Sequence, residues 1–81
     1  MQVILFTTEG CHLCDEAHEL LLTVADTHPL QVVLQEIGDD DALVARYGIR
    51  IPVVQFPDKD ELDWPFTQSN IEETIISKIN Q

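Results

Sequence analysis

The apolar run Val3-Ile4-Leu5-Phe6 leads through a polar loop, Thr7-Thr8-Glu9-Gly10, into Cys11-His12-Leu13-Cys14 and then into apolar residues at helical spacing. This succession constrains the fold more than any other feature of the chain. An unbroken apolar run suits a central strand buried on both faces, as in a parallel sheet. Leu13, Ala17, Leu20, Leu21 and Val24 then make one apolar face of a helix from about Leu13 to Asp26. Thr27, His28 and Pro29 end it, and Leu30 to Ile37 reads as a second strand. A strand–helix–strand of this length implies a right-handed βαβ unit with parallel strands.

The remainder alternates in the same way. Gly38 and the run Asp39-Asp40-Asp41 precede a short helix from Asp41 to Tyr47, with one of the aspartates as N-cap and Gly48 placed as a C′ glycine. Ile49 to Phe56 is expected as a third strand with Pro52 at its start, where no ladder donor is lost. Pro57-Asp58-Lys59-Asp60 is a turn, and Glu61 to Trp64 closes a hairpin. The last helix is expected over Asn70 to Ile79, with Ser69 and Glu72 at capping-box spacing and Ile71, Ile75, Ile76 and Ile79 as its buried stripe. The order is βαβαββα: one α/β domain over residues 1–81, a four-stranded mixed sheet flanked by helices.

Composition narrows the function classes. Fifteen Asp and Glu face four basic residues, for a net charge of −11. That excess argues against nucleic acid, which needs clustered Lys and Arg, and against anionic membrane surfaces. It serves solubility, or it steers a partner with a basic face. The N-terminus has no positive region before its apolar run, which therefore reads as a strand and not as a signal peptide. The expected location is the cytoplasm and the expected state a monomer. In that compartment two cysteines three positions apart fit a redox or metal pair better than a structural staple.

The pair follows a strand and opens a helix. Backbone N–H groups there lack helical acceptors, and a cysteine so placed can have a pKa of about 3.5–7.5 against about 8.5 for a free thiol. Cys11, at the exposed end, is the candidate nucleophile, and Cys14, one turn further in, the resolving thiol. Glu9, Asp15 and Glu16 act in the other direction, since nearby negative charge disfavours a thiolate. His12 either tunes the pair from solvent or shuttles a proton. A metal site is the alternative: Cys11, Cys14 and His18 offer three ligands, with His12 or an acid as a fourth, although a closed structural site takes four well-placed ones.

On these residues the chain resembles the glutaredoxin-like branch of the thioredoxin superfamily over nearly its whole length. The resemblance rests on the early strand, Cys11-His12-Leu13-Cys14 at the helix start, the element order, and Ile51-Pro52 before the third strand. The stretches Gly48-Ile49-Arg50-Ile51-Pro52-Val53 and Cys11-His12-Leu13-Cys14-Asp15-Glu16-Ala17 are similar to a small bacterial group of glutaredoxin-like proteins. The resemblance implies a thioredoxin-like fold, a cis Pro52 beside the redox pair, and a substrate-binding edge at Ile51 and Pro52.

Departures from true glutaredoxins bear on the substrate. Position 12 is His where Cys-Pro-Tyr-Cys is usual, Glu9 stands where a basic residue is common, and Trp64-Pro65-Phe66-Thr67-Gln68-Ser69-Asn70 replaces the glycine turn that receives the γ-glutamyl end of glutathione. Arg50 is a candidate for a substrate carboxylate; an ion pair with an acidic neighbour is the alternative. Trp64 and Phe66 either line a groove beside Pro52 or pack the last helix onto the sheet. The expected function is thiol–disulfide exchange on protein disulfides, with Cys11 and Cys14 catalytic and Arg50, Ile51, Pro52 and His12 binding substrate. No resident cofactor or metal is expected, and glutathione is a candidate reductant. The alternative is a non-enzymatic acidic adaptor or redox-sensing module.

Overall fold

The computed structural model describes residues 1–79. β1 (Gln2–Thr7) lies at the centre of the sheet, parallel to β2 (Gln31–Glu36) and antiparallel to β3 (Val53–Gln55), with β4 (Glu61–Asp63) antiparallel at the edge, giving the order β2-β1-β3-β4. This central position explains the unbroken apolar run. Val3 and Leu5 point into one core and Phe6 into another, all buried.

The first core is closed by α1 (His12–Ala25) and α3 (Gln68–Ile79). Ala17, Leu21 and Val24 of α1 meet Ile71 and Ile75 of α3 over Val3, Leu5, Val54 and Phe56. Three expected contributors are not there. Leu13 is 46% exposed, and Cys14 takes the buried place in the first turn of α1. Ile76 and Ile79 are 47% and 53% exposed, so the stripe of α3 is narrower than its isoleucines suggested.

α3 also begins two residues earlier than expected. Thr67 Oγ1 accepts the Asn70 N–H at 3.1 Å, and Asn70 Oδ1 accepts the Thr67 N–H at 2.9 Å. This reciprocal pair satisfies the free amides of the first turn, and Ser69 falls inside the helix. Glu72, the other half of the expected box, instead meets His28 Nε2 at 3.1 Å and ties α3 to the end of α1.

The second core lies on the opposite face under α2 (Asp41–Tyr47), where Tyr47 stacks on Phe6 with ring centroids 4.0 Å apart, beside Ile37 and Val53. Asp40 is the N-cap, accepting the amides of Ala42 and Leu43. Gly48 is not a left-handed C′ residue: it is right-handed, at φ −51°. It is glycine because a Cβ there would fall 2.5 Å from the Val44 carbonyl oxygen.

β3 is shorter than the expected Ile49–Phe56. The amides of Arg50 and Ile51 turn back to the Tyr47 carbonyl at 2.8 and 3.0 Å, and Pro52 has no amide to offer. Pairing therefore starts at Val53, and Ile49 is fully exposed. The β3–β4 turn is pinned from α3, where Lys78 Nζ donates to Asp58 at 2.5 Å and Asp60 at 2.8 Å.

Candidate redox site

Gly10, at φ +82°, turns the chain out of β1 into α1, a conformation glycine adopts without steric cost. Cys11 then occupies the N-cap position of α1, usually held by Ser, Thr, Asp or Asn. Its Sγ accepts the Cys14 N–H at 3.1 Å, and its own N–H donates to the Thr8 carbonyl at 3.3 Å. Cys11 and Cys14 are joined as a disulfide with Cα atoms 5.2 Å apart. Cys14 is 2% exposed, while Cys11 is half-buried at the surface. The two sulfurs thus differ in access, in the sense the sequence suggested.

The loop before Cys11 is held by a residue sequence reasoning missed. Glu36, the last residue of β2, lies opposite Thr7 in the parallel ladder. Its carboxylate accepts the Glu9 amide at 3.0 Å and the Gly38 amide at 2.7 Å. The Gly38 amide, the Thr8 hydroxyl and the Glu9 amide hold the Glu36 carboxyl below the usual carboxylate range. The role depends on strand register and leaves no local motif; a glutamate two residues before a glycine at a strand end is the faint signal.

Pro52 reaches the same end of the sheet from the other side. Phe6 pairs with Val53, so the residue preceding Val53 lies beside the end of β1. The Ile51–Pro52 peptide is cis, Pro52 is buried, and its carbonyl accepts the Trp64 N–H at 3.3 Å. Trp64 meets Phe66 edge to face at 5.1 Å. Phe66 belongs to the α1–α3 core, whereas Trp64 also faces a cavity of about 300 Å³ shared with Glu16, Glu19, Leu20 and Thr23 of α1. The packing alternative therefore holds for Phe66 and in part for Trp64, whose free side faces α1 and not a groove lined by Pro52.

Arg50 is engaged by the protein itself. Its Nη2 donates to Glu61 at 2.7 Å and to Asp63 at 2.8 Å, Nε donates to Asp63 at 3.2 Å, and the guanidinium lies 5.2 Å from the Tyr47 ring centroid. Hydrogen bonds from Arg50 hold the Asp63 carboxyl low. Burial pushes Glu61 up, but hydrogen bonds from Tyr47, Arg50 and Gln55 outweigh it, and its pKa is lowered. The acidic-neighbour alternative is thus what Arg50 makes. His12 is exposed on the first turn of α1. Among the described residues no three His, Cys, Asp or Glu side chains are grouped to hold a metal, so His18 does not join the cysteines in a ligand set.

A Cys-X-X-Cys disulfide opening the first helix, with a cis proline at the neighbouring strand start and this sheet order, defines a thioredoxin-fold protein. The glutaredoxin-like domain family (DUF836) matches residues 2–76. The chain belongs to this glutaredoxin-like family. It is similar to structural-genomics target protein XcR50 from X. campestris. The crystal structure of that protein is 37% identical, covers 93% of this chain and 96% of that one, and has a TM-score of 0.76. Its solution structure gives 35% identity, 95% of each chain and a TM-score of 0.81. Thioredoxin 1 from Thermosipho africanus shares the fold at 18% identity, over 99% of this chain and 96% of that one, with a TM-score of 0.75. No curated protein matches the sequence.

Proposed function

We propose that the protein is a thiol–disulfide oxidoreductase that reduces disulfides in other proteins. The observation that carries this is the seat of Cys11 Sγ, at the N-cap of α1 and accepting the Cys14 amide, with Cys14 buried behind it. In the reduced protein the same amide and the helix dipole favour a Cys11 thiolate. That thiolate attacks one sulfur of the substrate disulfide, forming a Cys11–substrate bond and releasing the other sulfur as a thiolate. Cys14, deprotonated in turn, attacks Cys11 Sγ, forms the intramolecular disulfide and releases the second substrate sulfur. Two electrons pass to the substrate, and the two protons lost by the cysteines end on its thiols. A thiol reductant, glutathione or a dithiol protein, returns the pair to its starting state.

Ile51 and Pro52 supply the backbone edge along which an extended substrate lies, and His12 borders the attacking sulfur from solvent. Arg50 takes part only through whatever donor capacity Glu61 and Asp63 leave free. The protein works as a monomer in the reducing cytoplasm, without nucleic acid or membrane. No described helix is long and apolar enough to cross a membrane.

Cys11→Ser is expected to abolish turnover of a protein disulfide such as insulin, and Cys14→Ser to trap a mixed disulfide detectable by intact-mass spectrometry. Undiminished turnover by Cys11→Ser would overturn the assignment. The adaptor alternative is favoured by the exposed carboxylates of Glu9, Asp15 and Glu16 around the pair. Slow reduction of the oxidised protein by both glutathione and a thioredoxin system would support it.

A further inference from the structure

The cavity between α1 and Trp64 is lined by Glu16, Glu19, Leu20 and Thr23, further along the helix that the redox pair opens, and takes no part in the exchange steps. Leu13, Glu16, Leu20 and Thr23 follow one another at three- and four-residue spacing on α1, so they share one face of the helix. That face begins between the two cysteines, at the exposed Leu13, and its next members, Glu16, Leu20 and Thr23, line the cavity, Leu20 about 10 Å along the helix from Leu13. Trp64, on the opposite wall, is joined to the cis-proline strand start through its backbone amide, which donates to the Pro52 carbonyl. Two of its walls are thus carried by elements that also carry the redox site, α1 on one side and the segment hydrogen-bonded to Pro52 on the other.

Its chemistry is selective. Leu20 and the half-buried Trp64 ring give an apolar floor, Glu16 and Glu19 are exposed carboxylates on the rim, and no Lys or Arg lines it. Arg50 and Lys78 are committed to Glu61 and Asp63, and to Asp58 and Asp60. An apolar floor with two carboxylates at its edge suits a long cationic side chain, whose methylene stem covers apolar surface while its head stays at the rim. An indole ring within reach adds a cation–π attraction.

We infer that this groove docks a basic segment of the protein whose disulfide is reduced, a Lys or Arg side chain lying along Leu20 and Trp64 with its charged head between Glu16 and Glu19. The identity of the partner as a disulfide substrate rests on the oxidoreductase proposal; the groove's preference for a basic segment does not. A substrate cysteine at Cys11 with a basic residue about three positions away spans the distance in extended conformation.

Trp64 is the only tryptophan, so its fluorescence reports on the groove without any redox turnover. The oxidised protein is titrated with a cysteine-free peptide carrying Lys and Leu, and with a counterpart carrying Glu in place of Lys. The Lys peptide is expected to give a saturable fluorescence change and the Glu peptide none. Binding is expected to weaken about fivefold or more in Glu16→Gln/Glu19→Gln, and similarly when salt is raised from about 0.05 to about 0.5 M. Asp26→Asn/Glu73→Gln removes two charges outside the groove and is expected to weaken binding far less.

Equal weakening by the two double variants assigns the effect to net charge and overturns the docking site. So does the absence of any response to the Lys peptide, or a dimer in sedimentation that Glu16→Gln/Glu19→Gln strengthens. Single-turnover reduction of the same two peptides, cyclised through a disulfide, by dithiothreitol-reduced and desalted protein tests the other proposal. If neither is reduced while the Lys peptide still binds, the oxidoreductase reading fails and the docking site stands.

Discussion

The two faces of the sheet are closed by different means. On one, Val3, Leu5 and Val54 lie under a pair of helices, and Leu21, Val24, Ile71 and Ile75 are wholly buried against them. On the other, the seven-residue α2 covers Phe6 and Val53 with one large side chain, Tyr47, and the margin is charged: Tyr47 Oη donates to Glu61 at 2.7 Å, and Glu61 also accepts from Arg50 and Gln55. Where two helices are available, apolar area alone excludes water. Where a single two-turn helix must serve, an aromatic stack and a ring of paired charges complete the cover. The redox site draws on both, with Cys14 on α1, which closes the first face, and Pro52 next to Val53 of the second core.

The comparison implies unequal consequences of substitution. Leu21→Ala, on the helix-paired face, is expected to cost about 2–5 kcal/mol in urea denaturation, from lost burial and a residual cavity. Tyr47→Phe keeps the ring on Phe6 and removes one hydrogen bond from an acceptor that has two other donors, so about 1 kcal/mol is expected. A Tyr47→Phe cost equal to that of Leu21→Ala would mean that the polar margin, and not the apolar core, sets the stability.

The smallest effects are those of pH, and Tyr47, Glu61 and Asp63 bring the second face into them. Burial and the hydrogen bond to Glu61 raise the Tyr47 phenol above its ordinary 10.0. Its contribution is complete below that value and is lost as pH rises through the raised one. Asp63 and Glu61 are lowered from 3.8 and 4.5, so their contribution is complete above those values and is lost as pH falls through the lowered ones. Thermal melts of the wild type are expected to decline at both extremes, and Tyr47→Phe to reduce the alkaline decline, leaving the part that comes from the raised Lys78. An unchanged alkaline limb would place the responsible group elsewhere.

Most of the fold could be read from local pattern. The bounds of α2 match the structure residue for residue, and the run Val3–Phe6 lies within β1, which takes in Thr7 from the expected loop, because an apolar run between polar residues and an aspartate cap are signals carried by neighbours in sequence. What failed depended on alternatives that are equal in sequence and unequal in space. Ser69-x-x-Glu72 and Thr67-x-x-Asn70 both have cap spacing, and the chain uses the second because Glu72 is drawn to His28. Ile49 reads as strand, but the turn after Tyr47 consumes the amides of Arg50 and Ile51, the two residues that follow it. At the site, Cys11, Cys14 and Pro52 were legible as a motif. Which acids would engage Arg50, and the fastening by Glu36, were not, since each depends on which strands become neighbours.

Glu36 has a consequence for how this fold can vary. One side chain holds both the segment before Cys11 and the turn after β2. The two loops therefore cannot drift apart as independent inserts do: lengthening one shifts the anchor of the other. A graft of the Thr8–Cys14 loop onto a related scaffold should keep its geometry only if a carboxylate is carried along at the end of the adjacent strand. In this protein the unit of inheritance at the redox end is two loops and one glutamate, not the cysteine motif by itself.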